Sequence, residues 1–189
     1  MLDFIRIACA VPAVRVGDTA KNAEDICAYI EKADARQADI VLFPELALTG
    51  YSCQDLFFQD TLWTGVQQGI RKITDCTKNH PGVTAAVGLP VRTGMRMYNC
   101  AAVISRGKIH ALVPKTYIPN YNEFYEKRWF SSGAEVTEDL AELLGEPVPI
   151  LPRAVFRVGG TLLGVEICED MWTPLPPSTF LALNGAEVI

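Results

Sequence analysis

Residues 161–167, together with the segment that follows them, restrict the fold of this sequence more than any other stretch. The run is mostly apolar and predicts a buried strand, whereas the prolines within 172–177 exclude strand and helix interior directly after it. Cys168 therefore stands where a strand opens into a loop, so that the strand fixes its position and the loop exposes its sulfur. On this stretch alone a buried structural cysteine is the more common outcome, because free cysteines are among the most buried residues.

Short apolar runs elsewhere in the chain predict the other strands. These are single strands over residues 4–11, 39–43 and 83–89, and hairpins over residues 97–113 and 154–167. The run 39–43 is continuous and is typical of a strand that is buried on both faces. The predicted hairpin turns lie at residues 105–107 and 159–160, and a further strand is predicted to begin within residues 186–189.

Helical periodicity separates the first strands from one another. Asp18 is a predicted N-cap, and apolar residues recur at helical spacing behind it, namely Ala23, Ile26, Cys27, Ile30 and Ala33. A second helix is predicted over 61–78, a short exposed helix within the acidic segment 135–146, and a helical turn over 178–184. The order strand, helix, strand, helix, strand and then hairpins predicts an α/β fold with a mixed sheet.

Composition argues against several classes of function. The 189 residues carry a net charge of −5 and no basic stripe, so we expect no nucleic-acid partner. No apolar run is long enough to cross a membrane, and the N-terminus lacks the pattern of a secretory signal. The six cysteines are scattered and there are only two histidines, so no metal site is predicted. Reduced thiols and a cytoplasmic location are therefore expected.

Three predicted strand ends each place a reactive side chain just after an apolar run: Glu45, Lys115 and Cys168. Taken singly, Glu45 is an ordinary exposed acid and Lys115 an ordinary surface lysine. Together they supply what a cysteine nucleophile needs, because a carboxylate can take and return its proton and an ammonium can stabilise an oxyanion. The backbone N–H of Glu169 is a second candidate donor to that oxyanion. The set suits acyl transfer from an amide or nitrile through a thioester.

The three candidate residues lie in sequence blocks that resemble those of a known family. The blocks are FPELALTGY at 43–51, VPKTYIPNY at 113–121 and VEICEDMW at 165–172. In residues, order and separation they resemble the three signature blocks of the nitrilase, or carbon-nitrogen hydrolase, superfamily. The likeness covers nearly the whole chain. It implies an αββα sandwich with mixed β-sheets that pair between subunits, and hence a homo-oligomer.

Within that superfamily, the sequence is most similar to the glutaminase domain of the glutamine-dependent NAD synthetases. Three features carry this likeness: LTGYSCQDLF at 48–57, PNYNEFYEKRWF at 119–130 and the two acids after Cys168. The resemblance implies hydrolysis of glutamine to glutamate and ammonia, a step that needs no cofactor. In that family the ammonia passes to a C-terminal synthetase domain, which uses ATP and Mg to amidate deamido-NAD.

The resemblance also implies roles for individual residues. Glu45 corresponds to the general base, Lys115 to the oxyanion-stabilising lysine and Cys168 to the nucleophile. Tyr121 and Phe124 correspond to substrate-binding positions. A second glutamate that orients the lysine and the substrate amide corresponds to Glu126, for which the neighbouring acid Glu123 is the alternative. The aromatic residues of this segment could instead be plain core residues.

Residues 1–189 match only part of such a protein. They correspond to an incomplete carbon-nitrogen hydrolase (glutaminase) domain that is cut short after Cys168, with no Gly-rich phosphate loop and no synthetase domain. We expect this segment alone to hydrolyse glutamine poorly and to associate through exposed sheet edges. Two alternatives stay open: another superfamily amidase, such as an aliphatic amidase, carbamoylase or ω-amidase, and a catalytically inert α/β interaction domain.

Overall fold

A computed structural model describes residues 4–137 and 139–189 of the chain. The strands are β1 Ile7–Cys9, β2 Ile40–Leu42, β3 Thr84–Thr93, β4 Arg96–Ser105, β5 Lys108–Pro114, β6 Leu140–Leu143, β7 Glu146–Pro149, β8 Val155–Val158 and β9 Thr161–Gly164. The helices are α1 Thr19–Ala35, α2 Asp60–Lys78 and α3 Pro177–Leu183. Short 3₁₀ turns at Tyr51–Phe58, Glu126–Arg128, Gly133–Glu135 and Cys168–Trp172 connect them.

Both long helices form where the apolar period predicts them. The Asp18 side chain caps α1 by accepting a hydrogen bond from the backbone N–H of Lys21 at 3.0 Å. The apolar faces of α1 and α2 are buried, as the spacing of Ile26, Ile30 and Ile70 illustrates. These two faces pack against one another and against the sheet in a single apolar core.

A five-stranded mixed sheet forms the centre of the fold, in the order β1-β2-β3-β4-β5. The strands β1, β2 and β3 run parallel, and β3, β4 and β5 run antiparallel. The prediction of a mixed sheet is confirmed. Strand β1 is shorter than predicted because the short strand β2 offers only three partner residues, from Ile40 to Leu42. Strand β3 continues past its predicted end at residue 89. Beyond Ala86 it pairs only with β4, so Pro90 lies on a strand edge, where proline is tolerated.

Four layers give the predicted αββα arrangement. The helices α1 and α2 cover one face of the central sheet. Ala102 and Ile104 of β4 point to this face. The alternate residues Ala101 and Val103 point to the opposite face and contact the ribbon of β8 and β9. Helix α3 lies beyond that ribbon, with Leu181 against Gly164 of β9.

The predicted helix does not form among the described residues of the acidic segment 135–146. Residue 138 lies outside the described residues. Strands β6 and β7 pair there as an antiparallel hairpin. Ala141 and Leu143 are buried while their neighbours are exposed, a period of two that fits a strand. Leu144 and Gly145 both have positive φ, which suits a tight hairpin turn. The prediction was wrong because the leucines of the segment were assigned a helical period.

Two further expectations about strands are corrected. Leu42 is 45% exposed, so β2 is not buried on both faces along its whole length. At the end of the chain only one parallel bridge forms, between Leu163 and Val188. The residues 186–189 thus lie beside β9 without forming a regular strand.

Gly88 of β3 allows the loop after β2 to approach the sheet closely. A Cβ atom at this position would lie 2.5 Å from the carbonyl oxygen of Pro44 and 2.9 Å from the carbonyl carbon of Glu45. The backbone of Leu48 also donates a hydrogen bond to the Gly88 carbonyl oxygen at 3.1 Å. Only glycine therefore lets the backbone around Glu45 pack on β3.

Substituting Gly88→Ala should lower the free energy of unfolding by about 1–3 kcal/mol, because the new methyl group collides with backbone that cannot move freely. Chemical denaturation measures this change. Gly160→Ala is the matched control, since a Cβ there meets nothing within 4 Å. Equal stability of the two variants would contradict the close approach at Gly88.

Candidate active site

The three strand ends that the sequence singled out lie together in the structure. Lys115 follows β5, and its Nζ donates a hydrogen bond to Glu45 Oε1 at 2.7 Å. Cys168 lies near enough to Glu45 for the charge of that carboxylate to raise the pKa of its thiol. Glu45 therefore binds the ammonium and lies beside the thiol, although 70 residues separate it from Lys115 in sequence.

Lys115 is completely buried and contacts a second carboxylate. Its Nζ lies 2.9 and 3.0 Å from the two carboxylate oxygens of Glu126, which is itself 2% exposed. The hydroxyl of Tyr51 donates a hydrogen bond to Glu126 Oε1 at 2.7 Å. Glu123, the alternative second glutamate, is exposed. The structure thus places Glu126, and not Glu123, against the lysine.

Burial and pairing act in opposite directions on this charge cluster. Burial disfavours the charge on Lys115, but the two carboxylates outweigh it, so the pKa of Lys115 is raised. Burial raises the pKa of Glu126, and its contacts with Lys115 and Tyr51 only partly oppose that effect. The lysine therefore stays an ammonium, and Glu126 is a carboxyl group of weakened acidity.

Cys168 has the environment of a thiol that needs a base. Its φ of 48° is in the left-handed region, which costs a non-glycine residue about 1–2 kcal/mol and turns the side chain away from the path of the preceding strand. Burial raises the pKa of the Cys168 thiol, the Glu45 charge and hydrogen bond raise it further, and Lys115 lowers it. The cysteine rests as a thiol beside a carboxylate, which is the arrangement for general-base activation.

Asp170 ties the loop of Cys168 to the end of β5. Its buried carboxylate accepts hydrogen bonds from the backbone N–H of Thr116 at 3.0 Å, Tyr117 at 2.7 Å and Ile167 at 3.1 Å. Burial raises the pKa of Asp170 despite these bonds. Met171 and Trp172, by contrast, are largely exposed. The acid that follows Glu169 is thus a clamp between the segments carrying the lysine and the cysteine.

The candidate substrate-binding residues form one cluster beside the cysteine loop. The hydroxyl of Tyr121 donates to both carboxylate oxygens of Glu169, at 2.8 and 2.9 Å. Phe124 packs edge-on against Tyr121, with ring centroids 5.9 Å apart. Tyr121 is half exposed, so it is not a plain core aromatic.

Two cavities flank these residues. A polar cavity of about 690 Å³ is lined by Thr116, Tyr121 and Glu169 among others. Cys168 instead opens on a mainly apolar cavity of about 330 Å³, which Met171 and Trp172 also line. Tyr121 and Glu169 therefore line the polar cavity, whereas Cys168 lines the apolar one.

Three residues of the site make contacts that the sequence did not predict. Tyr51 stood within a signature block, but nothing in that block showed that it would reach Glu126. Asn99 is an amide within the apolar run 97–104, and a polar residue in such a run was the only sequence signal of a role in the site. Its Nδ2 donates to Glu45 Oε1 at 2.6 Å. The clamp formed by Asp170 depends on backbone N–H groups and leaves no side-chain pattern.

Within the described part of the chain, no group of three or more His, Cys, Asp or Glu side chains is arranged to hold a metal ion. All six cysteines are free thiols in this structure. No helix among the described residues is long and apolar enough to cross a membrane.

Replacing Lys115 with methionine should lower the free energy of unfolding by about 3–5 kcal/mol, because two facing carboxylates lose their shared cation. The loss should shrink as the pH falls, since protonation of Glu126, whose pKa is raised by burial, removes one of the two facing negative charges. Denaturation curves at several pH values measure both effects. Lys108→Met, at the exposed start of β5, is the control and should change stability by less than about 0.5 kcal/mol. A Lys115→Met variant as stable as the unmodified chain would refute the account of the buried pair.

Substituting Glu45→Gln should shift the alkylation of Cys168 to lower pH, because the variant loses a negative charge that raises the pKa of the thiol. Iodoacetamide labelling followed by mass spectrometry of the Cys168 peptide gives the midpoint. Glu123→Gln, which neutralises an exposed acid, should leave that midpoint in place. An unchanged or higher midpoint in Glu45→Gln would mean that Glu45 and Cys168 do not interact.

The sequence resembles known proteins over nearly its whole length. A family model described as "Carbon-nitrogen hydrolase" matches residues 6–189. The glutamine-dependent NAD(+) synthetase of Mycobacterium tuberculosis H37Rv is 36% identical over 190 residues, which cover 98% of this chain and 28% of the relative. The chain thus spans little more than a quarter of that protein.

Two solved structures share the fold. A glutamine-dependent NAD(+) synthetase from Cytophaga hutchinsonii matches with a TM-score of 0.76 and 28% identity, over 87% of this chain and 28% of that one. A mutant of the Nesterenkonia AN1 amidase, from the nitrilase superfamily, matches with a TM-score of 0.76 and 19% identity, over 97% of this chain and 63% of that one. By the match of its sequence over residues 6–189 and by its αββα fold, this chain belongs to the carbon-nitrogen hydrolase family.

Proposed function

We propose that the chain hydrolyses the side-chain amide of glutamine, with Cys168 as nucleophile, Glu45 as general base and Lys115 as the cation that stabilises the oxyanion. The observation that carries the proposal is a single carboxylate that binds a buried ammonium and lies beside a thiol whose pKa it raises. This combination lets a resting thiol be deprotonated at the moment of attack.

The proposed reaction has two halves that share one thioester. Glu45 accepts the proton of Cys168 while the sulfur attacks the amide carbon, and the oxyanion is held by Lys115 and the backbone N–H of Glu169. Glu45 then gives the proton to the leaving amine, and the C–N bond breaks to release ammonia. Water attacks the thioester with Glu45 again as base, which releases glutamate and restores the thiol.

The charge beside Cys168 supports an amino-acid amide as substrate. The Glu169 carboxylate is adjacent in sequence to the nucleophile, and Tyr121 holds it with two hydrogen bonds. A carboxylate in this place would attract the α-ammonium group of glutamine. Phe124 packs on Tyr121 and would contact the aliphatic part of the substrate.

The relatives support a proposal for the fate of the ammonia. They are glutamine-dependent NAD(+) synthetases, of which this chain matches 28% of the length in the mycobacterial case. We propose that the released ammonia serves a synthetase domain that amidates deamido-NAD with ATP and Mg. A homo-oligomer, which the family resemblance implies, stays a prediction.

A simpler amidase is the second candidate, because the fold match to the Nesterenkonia enzyme covers 97% of the chain. An aliphatic amide has no α-ammonium group, so the Glu169 carboxylate beside Tyr121 would have no partner in such a substrate. The charged cluster therefore favours glutamine over an aliphatic amide.

A chloroketone analogue of glutamine should label Cys168 in the full chain, because the analogue offers both the α-ammonium group and an electrophilic carbon. Mass spectrometry of the intact chain and of the Cys168 peptide detects the adduct. The adduct should be lost in Cys168→Ala and retained in Cys9→Ala, which removes another exposed cysteine.

The same experiment separates the competing functions. Faster labelling by a chloroketone without the amino and carboxylate groups would favour the aliphatic amidase. Absence of an adduct at Cys168 with both reagents would favour an inert interaction domain and overturn the proposal.

A further inference from the structure

Asn99 is an amide in the interior of β4, where most residues belong to apolar clusters. It is 1% exposed, and its strand neighbours Tyr98 and Cys100 are buried as well. Its Nδ2 donates to Glu45 Oε1 at 2.6 Å. Its backbone carbonyl accepts the backbone N–H of Lys115 at 2.7 Å. One residue thus contacts both the proposed base and the strand end that carries the proposed oxyanion lysine.

The two side-chain donors around Glu45 converge on a single oxygen. Asn99 Nδ2 and Lys115 Nζ lie 2.6 and 2.7 Å from the same atom, Glu45 Oε1. Two strong donors on one carboxylate oxygen stop the group from rotating, because any rotation breaks both bonds. The other oxygen, Oε2, is then the one that remains for proton transfer.

The rest of the Asn99 side chain makes no comparable contribution. Among the described residues, no donor reaches its buried Oδ1. A buried acceptor without a partner lowers stability, and an apolar side chain would avoid that loss. The amide is therefore accounted for by what Nδ2 does at Glu45, rather than by packing of the core.

We propose that Asn99 is a positioning residue that fixes Glu45 with Oε1 bound and Oε2 directed to the thiol of Cys168. This inference rests on the proposed function, since it assumes that Glu45 is the base. The charged and titratable groups that face Glu45 are Lys115 from β5, Cys168 from the loop after β9, and Glu126 and Tyr51 from the turns beside them. Asn99 is the neutral donor in that set.

The test is the rate at which the chloroketone analogue of glutamine labels Cys168, measured across pH in the full chain. In Asn99→Leu and Asn99→Ala, labelling should be roughly 10- to 100-fold slower at neutral pH, the effect of losing a hydrogen bond to a charged group. The acid limb of the profile should move to higher pH, because without this donor the Glu45 charge is less offset and raises the pKa of the Cys168 thiol further. The melting temperature should change little or rise in Asn99→Leu.

Asn22 provides the matched control, because it is an equally buried amide whose Nδ2 binds the backbone oxygens of Arg15 and Leu48. Asn22→Ala should lower the melting temperature and leave the acid limb in place. Normal rate and acid limb in both folded Asn99 variants would overturn the inference, and so would a slower rate with an unmoved acid limb. No labelling of the unmodified chain would instead refute the proposed function, so the two failures are distinguishable.

Discussion

The rest of the site depends on the pairing of the Lys115 ammonium group with its neighbouring carboxylates. Lys115 has no exposed surface. A buried charge is tolerated only where partners replace its lost hydration, and here the carboxylates of Glu45 and Glu126 do so. A buried ion pair of this kind is weak support for stability as such. Its effect is to fix positions, because the two carboxylates can leave the cation only at a large cost in free energy.

Backbone features far apart in sequence supply the space and the orientation for that charge. Gly88 lets the loop of Glu45 approach the sheet, and Asp170 joins the end of β5 to the cysteine loop through three backbone N–H groups. Cys168 has a left-handed φ, and its thiol lies close enough to Glu45 for that charge to raise its pKa. The central sheet and the ribbon of β8 and β9 therefore act as a rigid frame, and the loops after β2, β5 and β9 carry the chemistry.

The sequence predicts those parts of the fold and the site that depend on local patterns. Apolar runs locate most of the strands, the Asp18 cap and its apolar face locate α1, and the strand ends single out Glu45, Lys115 and Cys168. Segment 135–146 was mispredicted because Leu140, Leu143 and Leu144 fit a helical period. The residues that β6 buries are Ala141 and Leu143, and this alternation follows from its pairing with β7.

The contacts of Asn99, Tyr51 and Asp170 could not be predicted because they form between residues separated by many positions. Their partners are set by the register of β4 against β5 and by the path of the loops, neither of which leaves a repeat in the sequence. Long-range pairing of this kind decides the polar interior of the site, whereas local patterns decide only where its reactive groups stand.

The most direct test of this account is the protonation state of Lys115, observed by nuclear magnetic resonance of its ¹⁵N-labelled side chain during a pH titration. The two carboxylates raise the pKa of Lys115, so the ammonium signal should persist at pH 10.5, the ordinary pKa of a lysine. Loss of that signal at neutral pH, which would show a neutral amine, would contradict the central claim that a buried cation organises the site.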